Sequence, residues 1–247
     1  MKQGSVLSPI QYGILIDEIA KELYQNGKGI ILKECNIPCL LWVDDIAIMK
    51  DKYKDLQEML DTVYEISQRY RIKYGLSETK HLIIGDDNET EKTIRLGEDI
   101  LEKVETYKYL GVLYNKKGNL DDHIKNVDNN VMNAIYAILD VVSDKILDKV
   151  EMKTIWILIE NTITSIICYG LESFNLLKKD YDKLTVIHLN AIKTILNIPR
   201  NSATSIIYSE TQIPAIEHTL RKRRIMYYKS LLNYEERPYT IKHRGET

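Results

Sequence analysis

The sequence predicts an α+β unit over residues 1–116, an antiparallel sheet with packed helices, followed by an all-helical region over residues 117–247. Three observations carry that prediction. Two adjacent aspartates, Asp44 and Asp45, stand between the apolar runs Leu40-Leu41-Trp42-Val43 and Ile46-Ala47-Ile48-Met49, which is the pattern of a β-hairpin with carboxylates at its tip. Apolar stripes at helical spacing flank that hairpin on both sides. Beyond the turn Lys116-Lys117-Gly118-Asn119 every strong pattern is helical.

The chain opens with the polar, glycine-containing loop Lys2-Gln3-Gly4-Ser5, and Ser8 before Pro9 reads as a helix N-cap with proline at the first helical position. Ile10, Ile14, Leu15, Ile19 and Leu23 then suggest one helix face ending near Gly27 and Gly29. In the hairpin, the apolar runs specify strands, while the turn leaves the carboxylates solvated enough to ionise and meet a cation. Asp-Asp is also ordinary turn chemistry, so the pair alone carries little weight. Residues 51–71 place Leu56, Met59, Leu60, Val63 and Ile66 on one stripe of an amphipathic helix that packs on the back of the sheet. Residues 82–84, 93–96, 100–104 and 107–114 read as strands, with turns at Asp86-Asp87-Asn88 and Gly97-Glu98-Asp99. The helical part covers residues 120–142, 149–171, 181–196 and 220–234, with Pro199 and Pro214 ending helices.

At 247 residues and 44% hydrophobic, the chain can bury one sizeable core or two small ones. Its net charge of −2 is low for a protein that holds nucleic acid, but the charge is unevenly distributed. Residues 178–247 carry 13 Lys or Arg against 7 Asp or Glu, leaving 21 against 29 before them. The densest cluster, Arg221-Lys222-Arg223-Arg224, precedes Tyr227, Tyr228 and Lys229 on a helix, an interleaving that suits phosphates and stacked bases and equally suits a solvated helix face. Cys35, Cys39 and Cys168 lack a second Cys or His pair at zinc spacing, so reduced thiols are expected. No secretory signal opens the sequence, and the most apolar helix, residues 155–171, is interrupted by Glu160 and Asn161. The reading is an intracellular protein, nuclear or cytoplasmic, that is neither secreted nor in a membrane.

Four motifs in order give the chain a resemblance to the reverse transcriptase domain of non-long-terminal-repeat retrotransposons. Gln3-Gly4 followed by Ser8-Pro9 resembles the family's loop-helix motif, and Trp42-Val43-Asp44-Asp45 its catalytic hairpin. Gly75-Leu76-Ser77-Glu78-Thr79-Lys80 resembles its lysine-bearing turn, and Tyr107-Lys108-Tyr109-Leu110-Gly111-Val112 the hairpin that grips the primer end. Trp42 and Val43 stand where many relatives carry Tyr or Phe and Ala, Ser77 replaces the usual Asn, and His81 follows Lys80 where Thr is frequent. Tyr169-Gly170-Leu171-Glu172 is similar to a segment recurrent in these proteins, although a helix C-terminal glycine also explains it.

The resemblance implies a partial polymerase palm followed by a helical thumb and C-terminal extension, from an RNA-directed DNA polymerase using Mg2+ or Mn2+, an RNA template, a DNA primer and deoxynucleoside triphosphates. Asp44 is then the principal metal ligand and Asp45 a secondary one. Lys80 faces the triphosphate, Gln3 and Gly4 lie by the incoming nucleotide and template, and Tyr109, Leu110 and Gly111 form the primer grip. Two-metal transfer needs carboxylates bridging cations about 3.5–4 Å apart, and successive strand side chains diverge, so a third carboxylate must come from a neighbouring strand. The family's first catalytic aspartate lies upstream of the Gln-Gly motif, where this chain begins. The expectation is therefore that the fingers and that strand are absent and that the chain alone is weak or inactive unless a second polypeptide supplies the carboxylate. The rival expectation is a non-catalytic nucleic-acid-binding or inert remnant, and a third is a helical interaction protein with an incidental acidic hairpin. No endonuclease motif is evident.

Overall fold

In a computed structural model of the chain, which describes residues 8–26, 29–32, 35–85, 93–141 and 152–234, the Ser-Pro dipeptide opens helix α1 (Ser8–Gln25). Its buried stripe is Ile16, Ile19, Ala20 and Leu23, with Tyr12 half-buried one turn earlier. The sequence reading of that face needs correction, because Ile10 and Ile14 are 62% and 64% exposed. Ile14 stands about 200° around the helix from Ile16, so the two series lie on opposite faces.

The chain forms two compact units, Met1–Glu105 and Thr106–Thr247. In the first, β1 (Ile30–Leu32) pairs antiparallel with β2 (Cys35–Ile37), and β3 (Cys39–Trp42) with β4 (Asp45–Ile48). Helix α2 (Tyr53–Tyr70) buries Met59, Leu60, Val63 and Ile66 as its stripe requires, against α1 and the hairpin strands. Arg69 ties it to Glu22 of α1 at 3.0 Å. Then β5 (Lys80–His81), β6 (Arg95–Leu96), β7 (Asp99–Ile100) and β8 (Glu102–Lys103) form two short ladders, β6 with β7 antiparallel and β5 with β8 parallel.

The strand expected at residues 82–84 is not formed. The ladder to β8 uses Lys80 and His81 instead and ends where the Val104 N–H donates to the His81 carbonyl (3.0 Å). The expected strand at 100–104 is split at Leu101, whose side chain turns into the core. The turn expected at Asp86-Asp87-Asn88 lies outside the described residues.

The second unit begins with the hairpin β9 (Thr106–Tyr109) and β10 (Val112–Asn115). Helices α3 (Asp121–Val141), α4 (Met152–Leu158), α5 (Ser165–Cys168), α6 (Lys178–Ile195), α7 (Thr204–Thr211) and α8 (Ile216–Tyr234) follow. Between α4 and α5 the helix widens to a π-turn over Ile159–Thr164, and Ser165 Oγ donates to the carbonyl of Glu160, five residues back, at 3.3 Å. The core gathers Ile159, Ile163, Ile167, Leu184, Ile192 and Ile216, all essentially inaccessible. His188 is buried there, its Nε2 3.3 Å from Thr164 Oγ1. Together these elements make the chain α+β, with small, mainly antiparallel ladders before a helical C-terminal region.

Candidate functional site

Register explains how the acidic hairpin is oriented. Cys39↔Ile48 and Leu41↔Ile46 face the core of the first unit, so the alternate pairs Leu40↔Ala47 and Trp42↔Asp45 face outward. The ladder closes at Trp42↔Asp45, leaving a two-residue loop of Val43 and Asp44. Both aspartates are exposed. Val43 adopts φ 54° while Asp44 stays at negative φ, which is the demand of a hairpin loop that prefers glycine first. A β-branched residue in the left-handed region is an outlier, and such strain concentrates at functional sites.

Tyr12 adjoins the loop from α1. Burial holds its phenol above the usual tyrosine range, and the Asp44 carboxylate raises it further. Tyr74, whose buried hydroxyl makes no hydrogen bond among the described residues, is pushed up to about 12 by burial and then by Tyr12. Tyr74, Tyr12 and the hairpin loop are thus neighbours in series, with both phenols held above the usual tyrosine range. Sequence reasoning missed Tyr12, although its signal was present: it stands four residues before Ile16 on the same stripe.

Among the described residues, no three His, Cys, Asp or Glu side chains gather where they could hold a metal ion. Two exposed carboxylates fit a hard divalent cation of the magnesium type, which keeps waters and takes one or two protein ligands. They do not make a structural zinc site. Cys35, Cys39 and Cys168 are free thiols.

The remaining candidates fall in both units and are described within each. The Lys80 ammonium is engaged by Glu102, its partner in the parallel ladder, at 2.5 Å. Gln3 and Gly4 lie outside the described residues. Tyr109 ends β9, and Leu110 (φ 47°) and Gly111 (φ 82°) form the two-residue turn to β10 in the second unit. The basic cluster on α8 is largely engaged within its own unit. Arg221 meets Glu217 at 2.5 Å and lies over the Tyr181 ring. Arg223 reaches Ser165 Oγ and Glu172, and Arg224 reaches Asn175 and lies over Tyr228. Among the described residues, no helix is long and apolar enough to cross a membrane.

Residues 1–114 match the family model for reverse transcriptase (RNA-dependent DNA polymerase). Over 236 residues the chain is 18% identical to the RNA-directed DNA polymerase from mobile element jockey of Drosophila melanogaster and 19% identical to that of Drosophila funebris. Each comparison covers 93% of this chain and 25% of the relative, so the chain spans about a quarter of the length of these curated relatives. Residues 1–114 thus carry a match to the reverse transcriptase family, and the chain as a whole is similar at family level to a part of these retrotransposon polymerases.

Proposed function

We propose that this chain bears the acidic catalytic hairpin of an RNA-directed DNA polymerase, with residues 1–116 as a partial palm and residues 117–247 as a helical thumb and C-terminal extension. The observation that carries this reading is the hairpin itself. Two exposed carboxylates, Asp44 in a strained two-residue loop and Asp45 at the strand end that closes it, lie within the segment that matches the family.

Asp44 as principal ligand and Asp45 as secondary ligand would hold Mg2+ or Mn2+, and a pair of such ions would supply Lewis-acid stabilisation, one at the attacking 3′-hydroxyl and one at the leaving pyrophosphate. The chain's own residues orient and neutralise. Tyr12 is a phenol near enough to Asp44 to feel its charge. Lys80 exchanges Glu102, which is 65% exposed, for a triphosphate, and exposed ion pairs of this kind open at little cost. Tyr109, Leu110 and Gly111 receive the primer end, Gln3 and Gly4 the template and nucleotide, and Arg221 to Arg224 the nucleic-acid backbone. The substrates are an RNA template, a DNA primer and deoxynucleoside triphosphates in the nucleus or cytoplasm. In this reading a third carboxylate completes the site from outside the described residues, and the chain by itself binds primer–template without extending it.

A second reading, a non-catalytic nucleic-acid-binding remnant, is favoured by the lack of a third ligand beside the hairpin among the described residues. Primer extension on an RNA template, with Mg2+ or Mn2+ and Asp44→Ala in parallel, tests both. Binding of primer–template without extension is expected from the folded chain alone. Extension lost in Asp44→Ala overturns the incomplete-site part of the proposal, and no binding at all overturns the polymerase reading.

A further inference from the structure

The turn between β9 and β10 is held from outside the hairpin. The Tyr169 hydroxyl donates to the Leu110 carbonyl at 3.1 Å. A Cβ on Gly111 would come within 2.8 Å of Tyr169 Cε1, so the tyrosine ring occupies the space that only glycine leaves open. The fit is reciprocal. Gly170 has φ 74°, and a Cβ there would stand 2.5 Å from Val112 Cγ2. Two glycines from distant segments are thus each required twice, by their own left-handed backbone and by a side chain of the other segment.

The rest of β10 is fixed by α3. A two-residue hairpin closes on a hydrogen-bonded pair, here Tyr109↔Val112, so the next N–H points away from the partner strand. That N–H, of Leu113, donates to His123 Nδ1 at 3.3 Å. His123 is buried, and burial lowers its pKa, so Nδ1 stays free to accept. At the base, Asn115 Nδ2 donates to Asn119 Oδ1 (2.8 Å) and Asp122 Oδ2 (2.7 Å). The middle of β10 is half-buried and its base buried, and both are bonded, whereas Leu110 at the turn and its strap remain open to solvent, with Tyr169 57% exposed.

We infer that Tyr169-Gly170 is a positioning element for the Leu110-Gly111 turn, setting the conformation in which that tip receives a primer 3′ end. The inference rests on the primer-grip role proposed for Tyr109, Leu110 and Gly111. An isolated pair of four-residue strands is marginal in water, and a tip that must meet one end of a nucleic acid needs rigid support. Tyr169 provides it through the Leu110 carbonyl and the Gly111 backbone, acting on the turn.

Tyr169→Phe removes the hydroxyl and keeps the ring, so folding is preserved; Gly170→Ala adds the clash with Val112. Two readouts separate the inference from the reading beneath it: amide hydrogen exchange at Val112 and Leu113, and affinity for an RNA–DNA duplex with a recessed primer end against the same duplex blunt-ended. Loss of one hydrogen bond of ordinary strength should speed exchange at Val112 and Leu113 by roughly three- to tenfold while leaving Leu189 and Ile192 of α6 unchanged. Preference for the recessed end should fall by about the same factor, with blunt-duplex affinity unchanged. Unchanged exchange in both variants overturns the positioning role, whatever happens to nucleic acid. Faster exchange in a protein whose unmodified form shows no preference for the recessed end overturns the primer-grip reading and the primer role of Tyr169 with it.

Discussion

Replacing Val43 with glycine should leave the first unit about as stable as before or slightly more so, the reverse of the usual effect of removing a valine. Holding an L-residue in the left-handed region costs roughly 1–2 kcal/mol, and glycine removes that cost. Against it stands the added freedom of glycine in the unfolded chain, about 0.5–1 kcal/mol. Val43 is 69% exposed, so only about a third of the ~1.5 kcal/mol at the low end for burying a valine is lost, on the order of 0.5 kcal/mol. The sum lies between about 0.5 kcal/mol of destabilisation and about 1 kcal/mol of stabilisation, centred slightly above no change. Urea unfolding followed by Trp42 fluorescence in a Trp156→Phe background reports this unit, and the midpoint should fall by no more than about 0.25 M and rise by no more than about 0.5 M. The same substitution should loosen the carboxylates and weaken Mn2+ binding, because strain kept at a loop tip fixes geometry. Destabilisation by more than about 1 kcal/mol would refute the reasoning, since it would mean that the loop does not hold Val43 in the left-handed region.

His188, buried against Thr164 and stacked on Tyr208, has its pKa pushed down to about 4 by burial. The unfolded chain takes up that proton below pH about 6.5 and the folded chain only near 4, so stability is full above about 6.5 and falls as pH drops toward 4. The loss approaches 3 kcal/mol, on the order of 1.4 per pH unit, and His188→Leu should flatten urea midpoints measured across that window. Ile163→Ala, at a fully buried position within the π-turn, should cost about 2–5 kcal/mol in the helical unit, read by urea unfolding. Arg221→Ala combined with Arg224→Ala should lower the salt dependence of nucleic-acid binding by roughly two units of log–log slope, and an unchanged slope would assign both arginines to α8 packing alone.

The sequence made the hairpin and α2 legible because each carries a strong period, alternating in β3 and β4 and helical in α2. The sequence also revealed the start of α1, through Ser8-Pro9. Which face of α1 is buried was harder to read, because isoleucines occur on both faces and only tertiary contact selects Ile16, Ile19 and Leu23. Residues 82–84 are more apolar than Lys80-His81, yet the parallel partner pairs with the latter, since strand formation depends on what lies alongside. The pair β1–β2 and helix α7 are too short for their periodicity to stand out. At the candidate site the carboxylates were visible as residue types, whereas Tyr12 was not, and Tyr169 was visible only within a family-like segment without a role. Each acts through contacts far away in sequence, Tyr12 on a loop 32 residues on and Tyr169 on a turn 59 residues back. The π-turn left no pattern of its own, because Ile159 and Ile163 keep ordinary i, i+4 spacing.

The most direct test of the central claim is Mn2+ titration of the chain in the Trp156→Phe background, read by quenching of Trp42, which pairs with Asp45 across the hairpin. Saturable quenching that is lost in Asp44→Ala and weakened in Asp45→Ala is the predicted result. Equal quenching in the unmodified hairpin and in Asp44→Ala would contradict the claim that these carboxylates form the metal-holding end of a polymerase site.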